Sequence, residues 1–160
     1  MNLGQSLFAI GALLILSLTV LRMNNNILGT EEVVLDSKIG VLATSLGTSI
    51  IEDASKLAFD ENTRASPISS LTALTPSLSL GQEIEGVFDD FDDYHNYVQH
   101  DTIYTIPFSS HCTVSYIEPK DLNASLSTRT WHKKLTISIS SPFSRDTLEL
   151  STIYSYWFFR

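Results

Sequence analysis

The residues best suited to chemistry stand in one short segment, Phe88-Asp89-Asp90-Phe91-Asp92-Asp93-Tyr94-His95-Asn96-Tyr97. Asp89, Asp90, Asp92 and Asp93, with Asn96 close by, supply the hard oxygen donors that calcium takes. The spacing is not that of an EF-hand, and no glycine stands at the sharp turn. The segment therefore reads either as a calcium site or as a solvated loop anchored by its tyrosines. The four histidines, His95, His100, His111 and His132, have no zinc-type spacing, and Cys112 is the single cysteine. A small buried strand residue is the simplest role for it. No G-x-S-x-G elbow and no phosphate-cradling glycine loop occurs. Asn123-Ala124-Ser125 fits a glycosylation sequon. Nothing here assembles a catalytic constellation, so the chain is expected not to be an enzyme and to need no cofactor, calcium apart.

Charge narrows the partners. A net charge of −8 and a pI near 4.8 argue against nucleic acid, which demands a basic face. The charges are also unevenly placed: none precedes Arg22. From Leu7 to Leu21 only Ala9, Gly11, Ala12, Ser17 and Thr19 interrupt large apolar side chains. Such a run approaches the roughly 17–25 residues of helix that cross a hydrocarbon core. A cleaved secretory signal needs a basic start and a small-residue cut site after the run, and neither is present. A retained helical anchor is the reading.

No proline occurs from residue 7 to about 58. Leu28, Leu35, Ile39, Leu42, Leu46, Ile50, Ala54 and Leu57 recur at helical steps, with most charges off that stripe. The pattern predicts one long helix, apolar all round at first and amphipathic later. Asn24-Asn25-Asn26 and Gly29 disfavour helix and mark either a loosened stretch or a break. Gly40 and Gly47 lie near the stripe, where a neighbouring element could approach closely.

Residues 59–101 read as loop, broken by Pro67 and Pro76 and ending in the acidic aromatic segment. From 102 onward the period changes to two: Thr102–Ile106, Cys112–Tyr116, Leu135–Ser140 and Leu148–Ile153 alternate apolar and polar. Three or four antiparallel strands over 102–160, with one face buried against the amphipathic helix of 23–58, make an α+β fold. The aromatic end Ser155–Arg160 fits a core-filling strand or a contact with a neighbouring subunit.

The chain resembles the type IV pilin-like proteins, and among them the minor pilins and pseudopilins of type II secretion. Gly4-Gln5-Ser6-Leu7 ahead of the apolar run resembles a short prepilin leader ending in glycine. Leu42-Ala43-Thr44-Ser45-Leu46, Ser49-Ile50-Ile51-Glu52 and Phe59-Asp60 resemble the helix segment of those subunits. Trp131-His132-Lys133-Lys134-Leu135-Thr136-Ile137-Ser138-Ile139 resembles their late strand. The resemblance implies a single-pass precursor in the cytoplasmic membrane, with leader 1–4 cut between Gly4 and Gln5 by a prepilin peptidase and the new terminus methylated. Residues 5–22 then form the core of a periplasmic or extracellular filament, as a homo-oligomer or a co-polymer with other pilin-like subunits. Leu7, Phe8, Ala9, Gly11, Ala12, Leu14, Ser17 and Leu18 are the expected packing residues. Small ones let helices approach closely, which is what drives association when lipid is as apolar as leucine. Ala9 stands where the family usually has glutamate, so register would come from packing alone. The second reading is a single-pass anchored binding module whose acidic segment is the ligand or calcium site.

Overall fold

The computed structural model describes residues 2–82 and 88–156, with Leu28 through its backbone only. It is an α+β fold: a helix α1 (Leu3–Ser55), then a five-stranded antiparallel sheet. The strands are β1 (Val98–Ile103), β2 (Ile106–Glu118), β3 (Asp121–Leu126), β4 (His132–Ser140) and β5 (Leu148–Ser155). The chain forms two compact units, Met1–Lys38 and Ile39–Arg160.

α1 is continuous through Asn24-Asn25-Asn26 and Gly29, so these residues mark no break. Hydroxyls inside the helix bond back to the carbonyl four residues earlier, Thr19 Oγ1 to Ile15 O (2.8 Å) and Thr30 Oγ1 to Asn26 O (2.9 Å). These bonds satisfy the two hydroxyls within the helix.

Within the second unit, Ile39, Ala43, Gly47, Ile50 and Ala54 form the buried face of α1. Its centre is Ala43 and Gly47 rather than Leu42 and Leu46, which are half-buried. The reason is close approach. A Cβ on Gly47 would stand 2.5 Å from Leu150 Cδ1 and 2.8 Å from Ile139 Cδ1, on β5 and β4. Gly40 meets nothing within 4 Å, so the expected close contact there is absent. The two glycines should therefore answer mutation with opposite signs. Gly40→Ala should raise stability by up to about 1 kcal/mol through helix propensity alone. Gly47→Leu should lower it by about 1–3 kcal/mol through overpacking. Thermal melts of the two variants decide this.

β2 is the spine of the sheet. Ile106–His111 pair with β1 and Ser109–Tyr116 with β4, while Tyr116 and Glu118 pair with β3. β5 lies outside β4, with Leu135 opposite Thr152 and Ile137 opposite Leu150. Period two sends Phe108, Cys112, Val114 and Tyr116 of β2 and Leu135, Ile137 and Ile139 of β4 into the core.

The strands differ from the sequence reading, first in that β1 starts at Val98, inside the segment 59–101 read as loop. Tyr104 and Thr105 form a two-residue hairpin turn with φ 49° and 70°, splitting the run read as one strand. Positive φ at both positions is the primed-turn geometry that matches strand twist, and here it lacks the usual Asn-Gly. Pro107 then falls inside β2, opposite Thr102. Next to the closing pair Ile103–Ile106, that site is a non-hydrogen-bonded one, where a missing N–H is harmless. β3, a fifth strand, has no β-branched residue and exists through its irregular pairing with the end of β2.

Candidate functional site

The acidic segment folds inward rather than lying on the surface. Phe91 N donates to Ala58 O (2.9 Å), fastening the segment just after α1. Asp93 Oδ2 accepts from Asp89 N (2.9 Å) and Asp90 N (3.1 Å). Asp90 Oδ1 accepts from Asp92 N (2.8 Å) and Asp93 N (3.2 Å). Two aspartates thus serve as local acceptors that tie a tight loop. Asp89 pairs with Arg64 at 2.7 Å. Asn96 sits at φ 63°, exposed, on the way into β1.

Asp92 points to the opposite side, into the core, and meets Lys133. Lys133 is 0% exposed, and its Nζ contacts three acceptors: Asp92 Oδ1, Asp60 Oδ2 at 2.9 Å and Phe59 O at 2.7 Å. Asp60 and Asp92 are buried as completely as the lysine they flank. The rings of Phe59 and Tyr116 stand 4.7 Å and 5.5 Å from Nζ and complete the enclosure. Asp60 is held by its own partners: Thr75 N (2.9 Å) on Oδ2, and Asn62 N (3.2 Å) and Thr75 Oγ1 (3.2 Å) on Oδ1. Tyr116 Oη donates to Thr75 O (2.7 Å), linking β2 to the same loop. The cluster therefore joins β4, β2, the turn after α1 and the acidic segment.

Electrostatics separate the aspartates. Burial alone would raise Asp60, but the Lys133 ammonium and the Thr75 and Asn62 N–H groups outweigh it and hold the carboxyl below its usual range. Burial pushes Asp92 up against the pull of Lys133. Asp90 Oδ2 is buried without a hydrogen-bond partner. Burial, then the adjacent Asp92 charge, raises that carboxyl to about 8.

Sequence reasoning offered Asp89, Asp90, Asp92, Asp93 and Asn96 either as ligands of one calcium ion or as a solvated loop. The structure brings the four aspartates into one loop but aims them at separate protein partners. Among the described residues, no group of three or more His, Cys, Asp or Glu side chains is disposed to hold a metal ion. The histidines are dispersed: Val114 N donates to His95 Nδ1 (3.1 Å), and His132 Nδ1 lies 2.7 Å from Ser155 Oγ across β4 and β5. Cys112 is wholly buried, and burial raises its thiol to about 11, which suits a packing residue. Asn123 of the sequon is exposed on β3. Of the aromatic end, Trp157–Arg160 lie outside the described residues. Tyr156 stacks on Trp131 with centroids 5.3 Å apart, and its Oη accepts from Ile68 N (2.9 Å).

Lys133 and Asp60 were missed as site residues, although one signal was present. Strict alternation from Ile139 back through Ile137 and Leu135 reaches Lys133, not Lys134, on the buried face.

In the first unit, the residues expected to pack in a filament lie along α1. Leu7, Phe8, Ala9, Ala12, Leu14, Ser17 and Leu18 are exposed, Gly11 is half-exposed, and nothing stands within 4 Å of a Cβ on Gly11. Gly4 and Gln5 are exposed in the first helical turn. The most apolar eighteen-residue stretch of α1 has mean hydropathy 2.1 and is 0% buried; the helix is long and apolar enough to cross a membrane.

No protein-family model, curated protein or solved structure matches the chain.

Proposed function

We propose that this chain is a structural subunit of a type IV pilus-like or type II secretion pseudopilus-like filament, assembling through the N-terminal part of α1. The observation that carries the reading is that exposed apolar side chains continue along α1 past the bilayer-length run, through a stretch that also holds Arg22, Asn24–Asn26, Glu31 and Glu32. Leu3 to Val34 is about 47 Å of helix at 1.5 Å per residue, against a hydrocarbon core of roughly 30 Å. Ile27, Val33 and Val34 are all more than half exposed beyond that length. Leu13, Val20, Ile27 and Val34 are exposed at successive seven-residue steps, which keeps them within a narrow stripe on one face, with Leu16 and Met23 beside them. A stripe of this period suits a second helix better than lipid. Copies of the same chain are the simplest source of one.

In the membrane the apolar surface is covered by lipid, and in the filament by other helices. The transfer gains little from hydrophobicity, so close packing must supply the preference. Ala9, Gly11, Ala12 and Ser17 are the small residues that permit it.

Gly11→Leu and Val34→Asp should each abolish incorporation into sedimentable filaments while the precursor still fractionates with the membrane. Dispersed wild-type monomers that remain in detergent would overturn the reading and favour a tethered binding module. Mass spectrometry of the native N-terminus tests processing separately: a chain beginning at Gln5 with an added methyl group is expected.

A further inference from the structure

We propose that the cleft beside Arg129 is a binding site for an acidic sugar, whose carboxylate or phosphate group the guanidinium takes. The cleft has a volume of about 420 Å³ and two walls. Leu71, Thr72, Pro76 and Ser77 form one, and Ser127, Thr128 and Arg129, in the bend between β3 and β4, form the other. That volume lies within the roughly 300–1,000 Å³ of small-molecule sites.

Both walls are set by the fold. Ser77 Oγ donates to Leu126 O (3.4 Å) and ties one wall to the other. Behind the first wall, Thr75 N donates to Asp60 Oδ2 and Tyr116 Oη donates to Thr75 O. Behind the second, Leu126 pairs with Tyr116, and Thr130 Oγ1 donates to Ile117 O (2.7 Å). A ligand entering such a cleft has little loop to order, which lowers the cost of binding.

The groups that these walls leave unused define the ligand. Arg129 is half-buried, and among the described residues its guanidinium makes neither a hydrogen bond nor an ion pair. Its Nε is shut off from water with no acceptor. A partly desolvated, unpaired cation attracts an oxyanion more strongly than a hydrated one does. Among the described residues, no aspartate or glutamate lines the cleft to compete for that charge. A guanidinium presents a planar fork of N–H donors that fits two oxygens of a carboxylate or a phosphate. The hydroxyls of Ser127 and Thr128 also have no partner among the described residues. A hydroxyl both donates and accepts, as the hydroxyls of a sugar do. Leu71 and Pro76 supply apolar surface for the C–H face of the ring.

The test titrates the full-length chain in detergent with glucuronate, glucose 6-phosphate and glucose, following backbone amide chemical shifts. Saturable shifts centred on residues 71–77 and 127–130 are expected with the anionic sugars, and the tighter of the two identifies the charged group. Glucose should bind more weakly by about tenfold, the loss that follows when a hydrogen bond to a charged group is missing. Arg129→Met keeps the aliphatic stem and removes the donors. It should weaken the anionic sugars by a similar factor without lowering the melting temperature, because no protein acceptor loses a partner. Absence of saturable shifts with both anionic sugars would overturn the proposal, and this arm needs no variant to fold. Glucose binding as tightly as they do, or unchanged affinity in Arg129→Met, would overturn it as well. Inorganic phosphate binding as tightly as glucose 6-phosphate would overturn the assignment of a sugar.

Discussion

Lys133→Ala is expected to lower the stability of the sheet-bearing unit by about 3–5 kcal/mol, the range found when one partner of a buried pair is removed. The loss comes less from the missing bonds than from what they leave behind. Asp60 and Asp92 would stay buried with no cation between them, and Phe59 O would lose its donor. The neighbouring lysine is the control. Lys134 donates to Leu122 O at 3.2 Å from the exposed side of the same strand, and Lys134→Ala should change stability by no more than about 0.5 kcal/mol. Adding Asp92→Asn to Lys133→Met should recover part of the loss, because one uncompensated charge is gone. Non-additivity of that pair measures the coupling. Urea or thermal unfolding of these full-length variants, with Asp92→Asn alone completing the cycle, gives all five values. Equal effects of Lys133→Ala and Lys134→Ala would show that the buried cluster holds nothing together.

That contrast between adjacent lysines also marks how far the sequence could be read. Local periodicity was enough for α1 and for β4, because each element's burial is set by its own repeat. Ile39, Ile50 and Ala54 on the helix and Leu135, Ile137 and Ile139 on the strand face the core as their spacing requires. Local chemistry failed where tertiary pairing decides. β3 is held by the end of β2, and the Tyr104-Thr105 turn adopts its geometry without the residues that usually announce it. The acidic segment looked like a solvent-facing loop because its counter-charge lies 41 residues away on β4, and Asp60 lies 73 residues from the same lysine. No spacing rule links such positions. Extending the parity of β4 by one more step would have exposed a charged residue on a core face, and a buried lysine demands buried carboxylates.

Raising the pH from about 5 to 8 should destabilise the sheet-bearing unit, the reverse of the usual behaviour of aspartate-rich clusters. Asp90 is wholly buried, with Oδ2 unpartnered. Burial, reinforced by the Asp92 charge, moves its carboxyl from 3.8 to about 8. Between those values the folded chain holds a proton that the unfolded chain has released. The stability this group contributes is therefore complete below 3.8 and is lost as the pH climbs towards 8. Burial shifts Asp92 in the same direction. Asp60 runs the other way: its carboxyl is held below 3.8, so its contribution is present above that value and lost as acid protonates it. The maximum should fall in mildly acidic solution, with a decline on the alkaline side of at most about 1.4 kcal/mol per pH unit from a single proton. Asp90→Asn presents a neutral group of the same shape, with an oxygen that can still accept from the Asp92 and Asp93 N–H groups. It should flatten the alkaline decline and leave the acid limb, which belongs to Asp60, in place. Melting temperatures of wild type and variant at pH 5 and pH 8 are the measurement. A wild type equally stable at both values would show that Asp90 carries its charge inside the fold.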